Sequence, residues 1–204
     1  MHGGVKMDLS VLTKWYTLLP TAISVGPVFS LLGIDAFVHE LILNKGGGKS
    51  LISKNDITRT LDSVVVGSPF WIAVSSIFLQ PFWGGSFPVQ YVTLLLVGGL
   101  MKLVYGRSYI YDSSVSDSSR WWSPIWERKP SNLWDEIGRM FTKYAYPSVH
   151  TLAVAGAVLF GVHSPAAWVL LAVVAAWLII AHHHWFSDVI AAGALVGAAV
   201  DLLK

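Results

Sequence analysis

Residues 147–203 read PSVHTLAVAGAVLFGVHSPAAWVLLAVVAAWLIIAHHHWFSDVIAAGALVGAAVDLL. Only His163-Ser164-Pro165 and Trp185-Phe186 interrupt this apolar run, dividing it into three stretches at about 147–163, 165–184 and 187–203. A bilayer-crossing helix needs about 20 mostly apolar residues, so each stretch alone is marginal. Together, joined by tight turns, they read as packed helices. Gly193 and Gly197 form a small-xxx-small pair that lets the last helix approach a neighbour closely.

Working outward, three further apolar stretches occur at about 17–43, 61–82 and 86–105. The chain carries 54% hydrophobic and 13% charged residues, against about 25% charged in ordinary soluble domains. Its mean hydropathy is +0.58. The expected fold is all-α: one multi-pass integral membrane domain over 1–204, a bundle of six transmembrane helices. Ten tryptophans cluster near predicted helix ends and in the 106–146 loop, as interfacial aromatic belts do. Inside that loop Leu133, Ile137, Met140, Phe141 and Tyr144 recur at helical spacing, with Asp135 and Glu136 early and Arg139 and Lys143 late. The spacing predicts a short interfacial helix over about 131–145. A net charge of +2 without a long basic run argues against a nucleic-acid partner. The absence of cysteine excludes disulfides and iron–sulfur ligation. No apolar run with a cleavage site follows the start MHGGVKMDLSVLTKWY, so no cleaved signal is expected.

Six spans put both termini on one side and the loops 44–60, 106–146 and 185–186 on the other. Asp35, His39, Glu40 and Asp62 also fall near that second side. Ionisable groups in membrane segments are costly and more often functional than not, although Asp35, His39 and Glu40 read most simply as helix-end polar residues. Three remote segments meet at this depth: Lys102 to Arg107, Tyr146 to His150, and Ala181 to Asp188. His184 and Asp188 are spaced i, i+4, so on a helix they share a face. The carboxylate would fix one imidazole nitrogen and leave the other to attack phosphorus. His150 could protonate the departing alkoxide. Pro147 and Ser148 stand at a helix start, where backbone N–H groups and a hydroxyl cradle phosphate oxygens. Lys102 and Arg107 could neutralise the transferring group. Neither metal nor cofactor is required. His182, His183 and His184 invite a zinc reading, but successive helical residues point about 100° apart and cannot share one ion. Lys45-Gly-Gly-Gly-Lys49-Ser50 mimics a phosphate loop without its first glycine or a preceding strand.

PSVHT at 147–151 and HWFSDVIAAG at 184–193 resemble the second and third motifs of the type 2 phosphatidic acid phosphatase/haloperoxidase superfamily. Order, spacing and helix placement agree over roughly 100 residues. The resemblance implies His184 as nucleophile, Asp188 as its orienting partner, His150 as acid, and Ser148 and Lys102 as phosphate ligands. It implies a membrane lipid phosphate or diphosphate as substrate. The sequence departs from the pattern at three places. Val149 replaces a glycine, Leu178 stands where the third motif has arginine, and Arg107 follows Lys102 by five residues rather than seven, without a proline after it. On a continuous helix Arg107 would point about 140° away from Lys102. Arg139 or Lys143 is the expected substitute cation. The chain is also similar, more loosely, to sphingolipid phosphotransferases, and the weakened motifs leave a third reading: an inactive relative serving as a structural subunit among membrane-protein partners or in a homo-oligomer. Eleven of the fourteen lysines and arginines fall on the histidine side and three on the other, which by the positive-inside rule makes the histidine side cytoplasmic. The resemblance implies the opposite face.

Overall fold

A computed structural model describes residues 14–78, 87–108, 132–161 and 164–202. Every element among them is helical; extended backbone pairs only at an isolated bridge between Ser108 and Tyr144. Most of the 106–146 loop, including Arg120, Arg128 and Lys129, lies outside the described residues, as do Lys6, His163 and Lys204.

The stretch expected as one span over 17–43 is two helices, α1 (Trp15–Leu31) and α2 (Ile34–Asn44), set at 68° to each other. The break falls at Gly33, whose φ of 70° is left-handed and suits a residue without a β carbon. After the short α3 (Lys49–Ile52), helix α4 (Asp56–Phe78) begins five residues before the expected start. The side chain of Asn55 accepts a hydrogen bond from Thr58 N at 2.9 Å and supplies the cap. Helix α5 (Phe87–Tyr105) matches expectation. So does α6 (Leu133–Thr142), capped by Asn132, which accepts from Asp135 N. Helix α7 (Val149–Gly156) continues as a π-helical turn over Ala157–Gly161. Helix α8 (Pro165–Ile180) starts at the Ser164 cap and stops four residues before the expected 184. Residues 181–185 form a turn rather than helix, with His182 at a left-handed φ of 60°. Helix α9 (Phe186–Leu202) closes the fold.

Helix α7 is the hub. It packs against α4, α5, α8 and α9, and every residue from Thr151 to Gly156 is buried. Small residues permit this. Gly98 of α5 lies directly beneath Leu152, and Gly156 faces Leu94 and Tyr91. Helix α9 runs along α1, where Gly197 meets Leu18 and Ala22 joins Leu195 and Val196 in one apolar cluster. Gly193 faces open space, so only half of the expected glycine pair serves packing. At the far end of this helix pair, Asp201 accepts from Trp15 N at 3.0 Å and pairs with Lys14 at 3.5 Å.

Much of the described outer surface is apolar. Helix α8 is apolar on every side, yet Trp168, Val169, Leu170 and Val173 are exposed. By length and composition, α5 is the one described helix able to cross a membrane, with the bent α1–α2 pair a second if counted together. Helix α8 and the α7 helix with its π turn are apolar but shorter.

The α5–α7 contact yields the first prediction. Gly98→Leu drives a side chain into the buried Leu152 and lowers stability by about 1–3 kcal/mol, read as a lower thermal midpoint in detergent. Leu at the open Gly193 position leaves the midpoint nearly unchanged.

Candidate active site

The three remote segments do meet. His150 Nδ1 lies 3.2 Å from His184 Nε2, and His184 Nδ1 lies 3.4 Å from Asp188 Oδ2. His184 and Asp188 are fully buried. The i, i+4 relation holds although His184 is not helical: it sits in the turn before α9, and Asp188 lies in the first turn of that helix. Asp188 Oδ2 also accepts from Trp185 N at 3.0 Å, so the carboxylate closes the helix start and orients the imidazole together. An acceptor beside Nδ1 places the proton there and leaves the Nε2 lone pair turned towards His150. Beside the site, burial pushes the Tyr146 phenol above its ordinary range, so it stays a neutral donor. Its hydroxyl donates to the Ala22 carbonyl and ties the entry of α7 to α1.

Arg107 reaches the same cluster by a route the helical wheel did not anticipate. Helix α5 ends at Tyr105, and Gly106, at a left-handed φ of 57°, turns the chain. The 140° disparity with Lys102 therefore never arises. The guanidinium is completely buried, with Nη1 2.6 Å from both Ser187 Oγ and Asp188 Oδ1. Nη2 lies 2.6 Å from Asp35 Oδ2 and 3.1 Å from Ser30 Oγ. Asp35 in turn accepts from Ser187 N at 3.0 Å and Ser187 Oγ at 2.6 Å. Where a phosphate contact was expected, Arg107 grips two carboxylates.

The other expected phosphate ligands are similarly engaged. Lys102 is buried and donates to the Tyr144 carbonyl at 2.6 Å. Ser148 caps α7, its Oγ accepting from Thr151 N at 3.2 Å, while its own N–H donates to the Asp188 carbonyl at 3.1 Å. It serves as a cap, and its amide is already bonded. Arg139 is exposed and lies 3.7 Å from Glu136, and Lys143 is exposed on the same surface turn. Neither replaces the cation missing at Leu178, because α6 turns these side chains outward while burying Glu136.

Three side chains assume places that spacing alone did not assign. Asp35 moves from helix-end polarity to the heart of the Arg107 network. Asp62 accepts from His183 Nε2 at 2.5 Å and from Trp177 Nε1 at 3.0 Å. His39 lies against His182, with ring centroids 4.4 Å apart and the rings tilted by 40°, and beside Trp185 at 5.4 Å. The three consecutive histidines thus diverge to His39, Asp62 and Asp188. Their divergence comes from the left-handed turn at His182, not from helical rotation. The available signal was an ionisable residue inside an apolar stretch, which marks Asp35 and Asp62 without naming their partners.

No family model, curated protein or solved structure matches this chain.

Removing one member of a buried ion pair leaves its partner uncompensated. Asp35→Ala is expected to destabilise the protein by about 3–5 kcal/mol, measured by chemical or thermal unfolding. Alanine at the exposed neighbour Glu40 changes stability by no more than about 0.5 kcal/mol.

Proposed function

We propose that this chain is a multi-pass membrane enzyme that hydrolyses a lipid phosphate or diphosphate through a phosphohistidine, in the manner of the phosphatidic acid phosphatase superfamily it resembles. The observation that carries the reading is the contact of His150 with His184, itself backed by Asp188. Six membrane segments are the arrangement that best accounts for an apolar outer surface. Helix α8 is apolar all round and half exposed, which suits lipid and not water.

His184 Nε2 attacks phosphorus, forming an N–P bond as the P–O bond to the lipid alcohol breaks. His150, as imidazolium, gives its proton to the leaving alkoxide oxygen. Neutral His150 then takes a proton from water as the water oxygen attacks phosphorus and the N–P bond breaks, releasing phosphate and restoring the His150 imidazolium and the neutral His184 ring. Asp188 holds the Nδ1 proton and offsets the positive charge that His184 acquires. Each ring nitrogen has one task. In the closed site the rings are 3.2 Å apart, so an entering phosphoryl group parts them and takes the place of their mutual hydrogen bond. The fixed charges of Lys102, Arg107, Asp35 and Asp188 cancel, so the countercharge that a phosphate needs arises when the entering phosphate monoanion passes its proton to His150.

One observation favours the structural-subunit reading: both cations at the site are already bound by internal acceptors. Turnover separates the two. With purified protein and a panel of lipid phosphates, His184→Ala is expected to abolish phosphate release, and His150→Ala to lower it by about 10²–10⁴-fold. Vanadate should inhibit by occupying the phosphoryl position. Undiminished turnover in folded His184→Ala protein would rule out the phosphohistidine. A wild-type protein inert towards every phosphate ester, yet stably bound to other membrane chains, would establish the structural role.

A further inference from the structure

Asp62 is the one acidic side chain in the apolar part of α4, and phosphoryl transfer at His184 gives it no task. It accepts from Trp177 Nε1 on α8 at 3.0 Å and from His183 Nε2 at 2.5 Å, both on the oxygen Oδ1. The carboxylate and the His183 ring are mostly buried, so water does not readily take the place of either. His183 stands in the 181–185 turn, directly before His184. The turn is thus held by Asp62 from the α4 side and by Asp188 from the α9 side.

That turn needs holding. Its amides fix only its start: His183 N and His184 N both donate to the Leu178 carbonyl, at 2.9 and 3.1 Å, and His182 N donates to the Ile179 carbonyl at 3.1 Å. His182 takes a left-handed φ of 60°, a region disfavoured for a residue with a β carbon. Such a conformation persists where surrounding contacts over-determine it. Three side-chain contacts do so here, drawing His182 to His39, His183 to Asp62 and His184 to Asp188. The first is non-directional, since neither ring nitrogen of His39 has a hydrogen-bond partner among the described residues. The second is a short, directional bond to α4. Helix α4 also packs along α7, which carries His150. The Asp62 bond therefore refers the turn that bears His184 to the framework that bears His150.

We infer that Asp62, acting through His183, is a positioning residue that keeps the His184 ring aimed at His150. The inference rests on the phosphatase reading for its consequence in turnover, but ring orientation has a readout of its own. The rival role is a plain clasp between α4 and α8 through Trp177. Because the two donors share one carboxylate oxygen, removing them one at a time separates the roles.

The test uses the whole protein, labelled with ¹⁵N-histidine, in phosphatidylcholine nanodiscs. Wild type is compared with Asp62→Ala, His183→Ala and Trp177→Phe. The His184 ring, assigned by the loss of its signals in His184→Gln, is expected to show a single Nδ1-protonated tautomer in wild type. In Asp62→Ala and His183→Ala it should become a mixture of both tautomers. With dioctanoyl phosphatidic acid as probe, kcat should fall about 10²-fold in these two variants, the cost of a misplacement of about 1 Å, while KM stays close to wild type. The double variant should be no worse than either single one, since all three remove the same contact. Trp177→Phe leaves the His183 bond in place and should keep the wild-type tautomer and kcat. A single His184 tautomer in His183→Ala, or a mixed one with undiminished kcat, overturns the positioning role and leaves the phosphatase standing. Loss of kcat in Trp177→Phe but not in His183→Ala does the same, and makes the carboxylate a clasp. If Asp62→Ala fails to fold, His183→Ala and Trp177→Phe decide the matter, because each leaves the carboxylate one partner. Mixed tautomers in His183→Ala, in a protein inert towards every phosphate ester, uphold the positioning role and discard the phosphatase.

Discussion

A single guanidinium buried away from water constrains this molecule more than any other group. An isolated charge in a low-dielectric interior is prohibitively costly, so Arg107 must bring its counter-charges inside with it. It does so from three directions: Ser30 at the end of α1, Asp35 at the start of α2, and Ser187 with Asp188 at the start of α9. The planar fork reaches two carboxylates at once, a geometry that lysine's point charge does not reproduce. The bend between α1 and α2 follows from this. A continuous helix through Gly33 would carry Asp35 onward along the α1 axis, whereas the 68° turn returns it to the guanidinium.

Asp188 joins this structural network to the chemical pair. One oxygen accepts from Arg107, and the other faces His184 and caps α9 through Trp185 N. The imidazole is thereby oriented by a carboxylate that is itself held in place, the condition for a nucleophile of fixed direction. The Trp185 ring lies under the guanidinium at 5.1 Å and against His39 on its other flank. Trp185 Nε1 donates to the Ser108 carbonyl. Orientation at the histidines thus depends on contacts that run through most of the bundle. The site is closed, with the two rings 3.2 Å apart.

The same polar network explains why the remaining interior can be so plain. Around α7 the packing uses alanine, glycine and leucine, with close approach permitted where Gly98 and Gly156 accept their neighbours. Apolar packing of this sort is non-directional and tolerates many registers, whereas a buried ion pair tolerates one. An apolar cavity of about 460 Å³ between α4, α7 and α8 marks where this packing is incomplete, between the α7 hub and the outward-facing wall of α8.

Apolar runs, caps and residue spacing determined that the chain is helical, where most helices lie, and which three segments meet around the buried histidines. These are local properties: helix starts follow Asn55, Asn132, Ser148 and Ser164, whose side chains satisfy free backbone donors a few residues away. His150, His184 and Asp188 were legible for the same reason, since depth along a helix can be counted. The partners of Arg107, the turn that carries His184, the tasks of Asp35 and Asp62, and the outward facing of Arg139 and Lys143 were not. Each depends on how one helix is rotated and bent against another, and that is settled by the demand that buried charges find opposite charges across gaps of 72 and 81 residues in sequence. Spacing along a chain contains no term for such encounters. Only the folded bundle decides them.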